Sequence, residues 1–173
     1  MTFLDLAKKR SAVRQFDRRK VEREKLLTIL EAGRVAPTAC NYQPQKILVL
    51  ETSESLAKLR SGNKYIYESP LALIVCANLS QSWKHYYDGR DSAQTDVGIV
   101  TTHMMLAATD LGLGSLWVHG FEPENVRRDF NIPAHLDIIN ILLIGYPDGP
   151  TASADRHNSL RKPLQETVIL ESF

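Results

Sequence analysis

Apolar residues recur every three or four positions between residues 21 and 35, which is the spacing of one face of an amphipathic helix. This face consists of Leu26, Ile29, Leu30 and Gly33. Pro37 has no backbone N–H and its ring clashes with a preceding helical turn, so the helix should end there. The pattern predicts a helix that packs one side against a core.

A longer helix is predicted over Ser92–Leu111, where apolar residues recur between Val97 and Leu111. Gly112 follows it and is well placed for a left-handed C-cap. Two shorter helices are predicted as well, one capped by Thr52 or Ser53 and one that begins at Pro123. We expect the long helix to lie centrally and to be mostly buried.

Four runs of aliphatic and β-branched residues, at 46–50, 71–77, 115–118 and 138–144, predict β-strands. The run 71–77, LALIVCA, contains no polar residue, which is typical of a strand in the middle of a sheet that helices cover on both faces. Because the strands alternate with the predicted helices, we expect a three-layer α/β arrangement around one central mixed sheet.

The last predicted element is a short strand at 166–170, which follows a polar, basic stretch that begins at Asp155. A strand at a chain end is stable only when it pairs with another strand. It could pair with the edge of its own sheet or with another chain, and the pattern alone leaves both alternatives open.

The chain has 173 residues, of which 43% are hydrophobic, so it can bury one sizeable core and we expect a single domain over 1–173. Its 21 Lys and Arg residues against 20 Asp and Glu residues leave a net charge of +1. This balance lacks the broad positive field of proteins that bind nucleic acid or anionic membranes. We therefore expect neither nucleic acid nor a membrane as a partner.

Cysteine usage and the N-terminus bear on location. Cys40 and Cys76 form neither a CxxC pair nor a secreted disulfide framework. The N-terminus has no apolar signal core, and the apolar runs are too short to span a membrane. We expect a cytoplasmic protein.

A basic stretch, KKRSAVRQF at Lys8–Phe16, concentrates charge near the N-terminus. Arg10 and Arg14 are four residues apart, so at a helix end or in a tight turn both guanidinium groups can bind one phosphate. The alternative is a solvated basic surface without a ligand. Three further candidates for the same phosphate are Ser11, Arg161 and Lys162.

The second polar segment is the loop APTACNYQPQ at Ala36–Gln45. Pro37 and Pro44 restrict its backbone at both ends, so the loop can hold amides and side chains in fixed positions against the edge of a flat polar ring. The candidate residues are Thr38, Ala39, Asn41 and Gln43. Asn41 can donate and accept hydrogen bonds at once, although asparagine also stabilises ordinary turns. Because the loop and the basic stretch flank the first helix, they could converge on one small ligand.

In this order and spacing, the two segments resemble the nitroreductase family of FMN-dependent oxidoreductases. Three later segments resemble the same family: LGLGS at 111–115, WVHGF at 117–121 and RKPL at 161–164. The resemblance implies the nitroreductase fold, with a C-terminal strand that crosses to the partner subunit of a homodimer and active sites at the dimer interface. It therefore favours an exchanged strand over an edge strand in the same chain.

The resemblance also implies where FMN binds. The basic stretch and the C-terminal pair would bind the phosphate, the loop would contact the flavin ring, and the backbone near Gly120 would lie close to flavin N5, where hydride arrives and leaves. The implied FMN-binding residues are Arg10, Ser11, Ala12, Arg14, Pro37, Thr38, Ala39, Asn41, Gln43, His119, Gly120, Arg161 and Lys162.

The chain departs from the family pattern at three positions. Ala12 stands where a serine is usual, which removes one polar contact with the phosphate. Gln45 replaces the usual Trp, so the substrate pocket loses an aromatic wall. His119 stands where Gly or Glu is common; it can tune the pocket and is the candidate for proton transfer, although a single histidine is more often structural.

The activity that the resemblance implies is hydride transfer from NADH or NADPH, followed by reduction of a small conjugated acceptor such as a nitroaromatic or a quinone, in a ping-pong mechanism. Flavin carries the redox step, so no catalytic side chain is required. The five histidines lack metal-ligand spacing, and no nucleophile elbow or P-loop occurs, so we expect no metal site.

Three alternatives to this activity remain open. The protein could store or deliver FMN without turnover. It could be a specialised relative that dehalogenates, fragments flavin or oxidises azolines. It could also be a basic domain that binds an acidic partner through residues 8–20.

Overall fold

In the computed structural model, which describes residues 1–173, four strands form one sheet in the order β1-β2-β4-β3. The strands are β1 (Gln45–Leu50), β2 (Leu71–Asn78), β3 (Gly114–Val118) and β4 (Leu136–Gly145). Every pairing among them is antiparallel, so the expectation of a mixed sheet is wrong for these strands. Alternating helices and strands do not reveal this, because a connection long enough to hold a helix can join parallel or antiparallel strands.

Six α-helices accompany the sheet: α1 (Phe3–Lys9), α2 (Arg23–Arg34), α3 (Ser53–Arg60), α4 (Ala93–Asp110), α5 (Pro123–Phe130) and α6 (His157–Leu160). The four helices predicted from the sequence are confirmed. Thr52 caps α3 through its side chain, and Gly112 has a φ of 78° just beyond α4, as a left-handed cap requires. None of the helices combines the length and the apolar character needed to cross a membrane.

Helices cover both faces of the sheet, which confirms the three-layer arrangement. On one face, Ile29 of α2 and Val100 of α4 share a core with Leu73 of β2. On the other face, Leu59 of α3 shares a second core with Ile74 of β2. Because neighbouring residues of β2 point into different cores, this strand is buried on both sides, as its unbroken apolar run predicts.

The segment that follows α1 lies beside β3 and extends this edge of the sheet. Val13 N–H donates to Ser115 O over 3.0 Å, and Ala12 forms an isolated parallel bridge with Ser115. The close contact depends on Gly114, where a Cβ would lie 2.6 Å from Val13 Cγ2. The basic stretch is therefore held against the β3 edge.

The C-terminal segment does not form the predicted strand. Leu164–Glu166 is a short 3-10 helix, and Val168 N–H donates to Leu164 O over 2.9 Å. The segment pairs with no strand of its own chain, so the intrachain edge strand is wrong. Strand propensity expresses how well a residue fits beside neighbouring strands, and no edge of this chain lies alongside the segment. Its exposed apolar side chains are Leu164, Val168, Ile169, Leu170 and Phe173.

Candidate functional site

The basic stretch is extended rather than helical. α1 ends at Lys9, so Arg10 and Arg14 lie about 13 Å apart along an extended backbone. The expectation that they share a helix end or a tight turn is therefore wrong. Side chains alternate along an extended segment, which buries Ser11 and leaves Ala12 and Arg14 exposed. Arg10 and Arg14 therefore lie in a row on the outward side of the segment, instead of being brought together by a turn.

Two further guanidinium groups lie near Arg10. The pKa of Arg10 is lowered, first by partial burial and then by the positive charges of Arg156 and Arg161. Neighbouring positive charges repel one another unless an anion neutralises them. The fold thus brings Arg161, from the far end of the sequence, close to Arg10. We refer to Arg10, Arg156 and Arg161 as the arginine cluster.

Arg156 is a member of this cluster that sequence reasoning misses. Its guanidinium donates to four carbonyl oxygens: Lys8 at 3.1 Å, Arg10 at 2.5 Å, Ser153 at 2.7 Å and Ala152 at 3.4 Å. The carbonyls of Lys8 and Arg10 lie at the C-terminal end of α1. Carbonyl groups at a helix C-terminus lack intrahelical donors, and a cation is favourable there. The surrounding sequence, ADRHN, carries no signal that distinguishes Arg156 from a surface arginine.

A cavity of about 170 Å³ lies between residues 11–15 and the loop 147–152. Ser11, Ala12 and Arg14 line this cavity, so three of the predicted phosphate ligands share one wall. Lys162 follows Arg161 directly and is exposed. The predicted phosphate ligands of the N-terminal segment therefore lie together along the β3 edge, with a space beside them.

The loop that precedes β1 is held by its own hydrogen bonds. Cys40, Asn41 and Gln43 have positive φ values of 50°, 57° and 51°, which non-glycine residues rarely adopt and asparagine tolerates best. Asn41 N–H donates to Thr38 O, and Gln43 N–H donates to Thr38 Oγ1, both over 3.0 Å. The expectation that the backbone N–H groups of Asn41 and Gln43 face a ligand ring is wrong, because both donate hydrogen bonds within the turn. The Asn41 side chain is exposed and keeps its donor and acceptor.

Asp96 anchors this loop and is a second residue that sequence reasoning misses. Its carboxylate is buried, at 1% exposure, and accepts Ala39 N–H over 2.8 Å and the Ser92 hydroxyl over 2.7 Å. A buried carboxylate requires such donors, so an aspartate near the start of a largely apolar helix is the signal that could have indicated it. Asp96 fixes the loop to the first turn of α4.

The chain leaves β3 through an exposed turn that contains His119 and Gly120. Gly120 permits the close approach of a ring, because a Cβ there would lie 2.8 Å from Cδ2 of Tyr65. The Tyr65 loop is held in turn by a 3.2 Å hydrogen bond from Glu122 N–H to Asn63 Oδ1. Tyr65 therefore forms an aromatic wall beside Gly120.

The predicted ligands divide between two edges of the sheet. Residues 10–14 and 119–120 adjoin β3, whereas the loop 37–43 precedes β1, the strand at the opposite edge. With neighbouring strands about 4.8 Å apart, the two edge strands lie about 14 Å from each other.

The ends of α4 separate the same two regions. Ala39 is bound to Asp96 in the first turn of α4, whereas Val13 packs against Gly114, just beyond its last turn. About 20 Å of helix lies between these points. Within a single chain, the basic stretch and the loop therefore lie apart, and their convergence on one ligand stays a prediction.

A wide cavity of about 790 Å³ adjoins the loop at Ala39 and the N-terminal end of α4. Trp83 and His85 line it, and His85 stacks on Tyr86 with ring centroids 5.6 Å apart. Tyr86 in turn packs against Tyr87 with centroids 4.1 Å apart. Aromatic side chains are thus present near the loop, although the usual Trp of the family is absent from it.

The remaining reactive side chains do not form a further centre. No three His, Cys, Asp or Glu side chains lie close enough together to hold a metal ion. Burial raises the pKa of the Cys76 thiol to about 11, which disfavours the nucleophilic thiolate.

The chain is similar to known proteins over most of its length. A model described as "Nitroreductase family" matches residues 7–65 and 57–146. A crystal structure of a nitroreductase family protein from Clostridium difficile 630 is 44% identical, with a TM-score of 0.97 and 100% of both chains covered. An NADH dehydrogenase from Thermus thermophilus is 27% identical over 195 residues, which cover 94% of this chain and 93% of the relative. A provisionally named nitroreductase from Desulfovibrio desulfuricans, solved in complex with FMN, shares the fold at 22% identity and a TM-score of 0.81, covering 100% of this chain and 99% of that one.

Proposed function

Because this chain belongs to the nitroreductase family, we propose that it is an FMN-dependent oxidoreductase that takes hydride from NADH or NADPH and reduces a small conjugated acceptor. The arginine cluster carries the proposal, since it concentrates positive charge where the phosphate of FMN would bind. The name of the Thermus relative and the FMN in the Desulfovibrio structure support the same donor and cofactor.

The residues beside the β3 edge fit a phosphate group. Burial and the neighbouring charges lower the pKa of Arg10, and an anion bound there would relieve the repulsion. Arg14 and Lys162 add positive charge, and Ser11 adds a hydroxyl at the wall of the cavity. Ala12 contributes no side-chain donor, so the phosphate would depend on the cations, Ser11 and the backbone.

A second copy of the chain would complete each flavin site. The phosphate ligands lie at the β3 edge, whereas the loop 37–43 lies before β1 at the opposite edge. We propose a homodimer in which the loop of one copy meets the β3 edge of its partner. This arrangement needs no internal rearrangement to bring the two sets of residues together.

The C-terminal segment supports the homodimer. Leu164, Leu170 and Phe173 are highly exposed, and so are Phe3 and Leu4 of α1. Large apolar side chains that a chain leaves exposed are typical of surfaces that another protein covers. We propose that the segment 164–173, here named the C-terminal arm, crosses to the partner subunit.

In the proposed reaction, bound FMN supplies the chemistry of hydride acceptance and electron delivery, and the nicotinamide and the acceptor use one face in turn. The side chains of this protein would bind and orient the flavin and enclose the space in which the substrates bind. Gly120 allows the Tyr65 ring to lie against the turn that follows β3, and the backbone of that turn would lie near the flavin ring. His119 lies on the same turn, where it tunes the pocket. No side chain is required as a nucleophile or a metal ligand.

An optical experiment tests the proposed function. The purified protein mixed with FMN should retain a bound-flavin spectrum after gel filtration. NADH or NADPH, added without oxygen, should bleach the spectrum rapidly, and a nitroaromatic or a quinone should restore it. A protein that keeps FMN but is not bleached would be a flavin store. A protein that retains no FMN would favour the basic interaction domain.

A further inference from the structure

One member of the arginine cluster, Arg156, uses its donors to bind backbone carbonyls. Arg156 uses Nη1 for the carbonyls of Lys8, Ala152 and Ser153, and Nη2 for the carbonyl of Arg10. A guanidinium has five N–H donors in a planar fork, and here most of them are committed to the backbone. Arg156 therefore adds charge to the cluster without being free to bind a phosphate as the other two members are.

The contacts of Arg156 join two segments that are distant in sequence. Lys8 and Arg10 close α1, whereas Ser153 begins the C-terminal part of the chain. His157 adds a second contact, with Nε2 3.3 Å from Lys8 O. Arg161 is the C-cap of the short helix α6, which begins at His157, so the location of Arg161 depends on this junction.

We propose that Arg156 is a positioning residue that holds Arg161 beside Arg10 and thereby gives the protein its preference for FMN over riboflavin. This inference rests on the proposed function and concerns its cofactor site. In the absence of an anion, Arg10 is repelled by Arg161 and by Arg156 itself, and the four hydrogen bonds of Arg156 hold the two segments together against that repulsion. A lysine would keep the charge, but its single ammonium group cannot reach carbonyls on both segments in the same geometry.

The experiment compares Arg156→Gln and Arg156→Lys with the parent. Dissociation constants for FMN and riboflavin are measured by flavin fluorescence, and hydrogen exchange of residues 152–161 is measured in flavin-free protein. Arg128→Gln is the matched control, because Arg128 bonds only Asn125 and Asp129 on α5. Arg156→Lys is the milder change and keeps the test valid if Arg156→Gln does not fold.

We expect Arg156→Gln to weaken FMN binding by about tenfold and riboflavin binding by less than about twofold. Arg156→Lys should lose part of the same preference, and exchange of residues 152–161 should rise in both variants but not in the control. Equal weakening of both flavins, unchanged FMN binding or unchanged exchange would each overturn the inference. If the parent retains no flavin at all, the proposed function fails as well. If the parent prefers FMN and both variants keep that preference, only the role of Arg156 is wrong.

Discussion

The two halves of the candidate flavin site are held in place by different means. At the β3 edge, the segment 10–14 is paired like a strand, and burial together with the positive charges of Arg156 and Arg161 lowers the pKa of Arg10. In the loop 37–43, the chain's own hydrogen bonds use most of the backbone donors, and Asp96 anchors the turn. The first half is suited to an anion and the second to an uncharged ring edge. In the proposed flavin site, affinity for the phosphate and recognition of the ring would therefore depend on separate residues at separate edges of the sheet.

Removal of the C-terminal arm should have the largest effect, because it acts on both halves at once. Deletion of 164–173 takes away the exposed apolar side chains that we propose to cross to the partner. We expect a monomer that retains no FMN, since loss of the partner also removes its contribution to each site. Light scattering gives the mass and absorbance gives the flavin content. A truncated chain that stays a dimer with full FMN would make the arm dispensable.

Mixed dimers test whether the two halves come from different chains. An edge variant carries Arg10→Ala and Arg14→Ala, and a loop variant carries Asn41→Ala and Gln43→Ala at two positions of positive φ. Each variant alone should retain little FMN. In a mixed dimer, the intact loop of the edge variant meets the intact edge of the loop variant, so one of the two sites should recover. Flavin content is measured on differently tagged, co-purified chains. Mixed dimers that stay empty would place both halves of a site in one chain.

Single substitutions should separate the phosphate half from the ring half. Arg14→Ala removes a charged contact worth about 1.5–3 kcal/mol, so FMN binding should fall roughly tenfold to over a hundredfold and the protein should purify nearly colourless. Riboflavin binding should barely change. Asn41→Ala should weaken FMN and riboflavin alike, because both contain the ring. If Arg14→Ala binds FMN as tightly as the parent and riboflavin equally well, the phosphate site is misassigned.

Gly120→Ala should have a smaller effect, confined to the turn after β3. A Cβ at this position would lie 2.8 Å from the Tyr65 ring, and Tyr65 is 48% exposed and can shift. We expect a loss of about 1 kcal/mol in the free energy of unfolding, measured with denaturant. The control is the same change in a Tyr65→Ala background, where the loss should disappear. A loss that persists there would have another cause.

Gln45→Trp should change the range of acceptors that the protein reduces more than it changes the affinity for FMN. Gln45 begins β1 and is half-buried, so a large ring there would narrow the space beside the loop. We expect the parent to reduce several nitroaromatics and quinones and Gln45→Trp to reduce fewer, with FMN binding within about twofold of the parent. Turnover rates are measured on one panel of acceptors. A parent that reduces a single acceptor, with no change in Gln45→Trp, would contradict this view of the pocket.

The sequence by itself determined four of the six helices and the four strands of the sheet, and it indicated candidate residues for the site. Periodicity of apolar residues identified α2, α4 and β2, because burial of one or both faces is repeated locally along the chain. The resemblance of five segments to one family indicated Arg10, the loop and Arg161 as parts of one type of site. These features could be read directly because each depends on neighbouring residues or on a short motif.

The tertiary structure alone decided how these parts are arranged. It made the four-stranded sheet antiparallel, placed the segment 10–14 along β3, left the C-terminal arm without a strand and put the loop at the opposite edge. It also identified Arg156, which contacts Arg10 across 146 positions of sequence, and Asp96, which contacts Ala39 across 57. Such contacts depend on pairing and packing between distant segments, and local propensity carries no information about which distant group will satisfy a buried charge or an unpaired carbonyl.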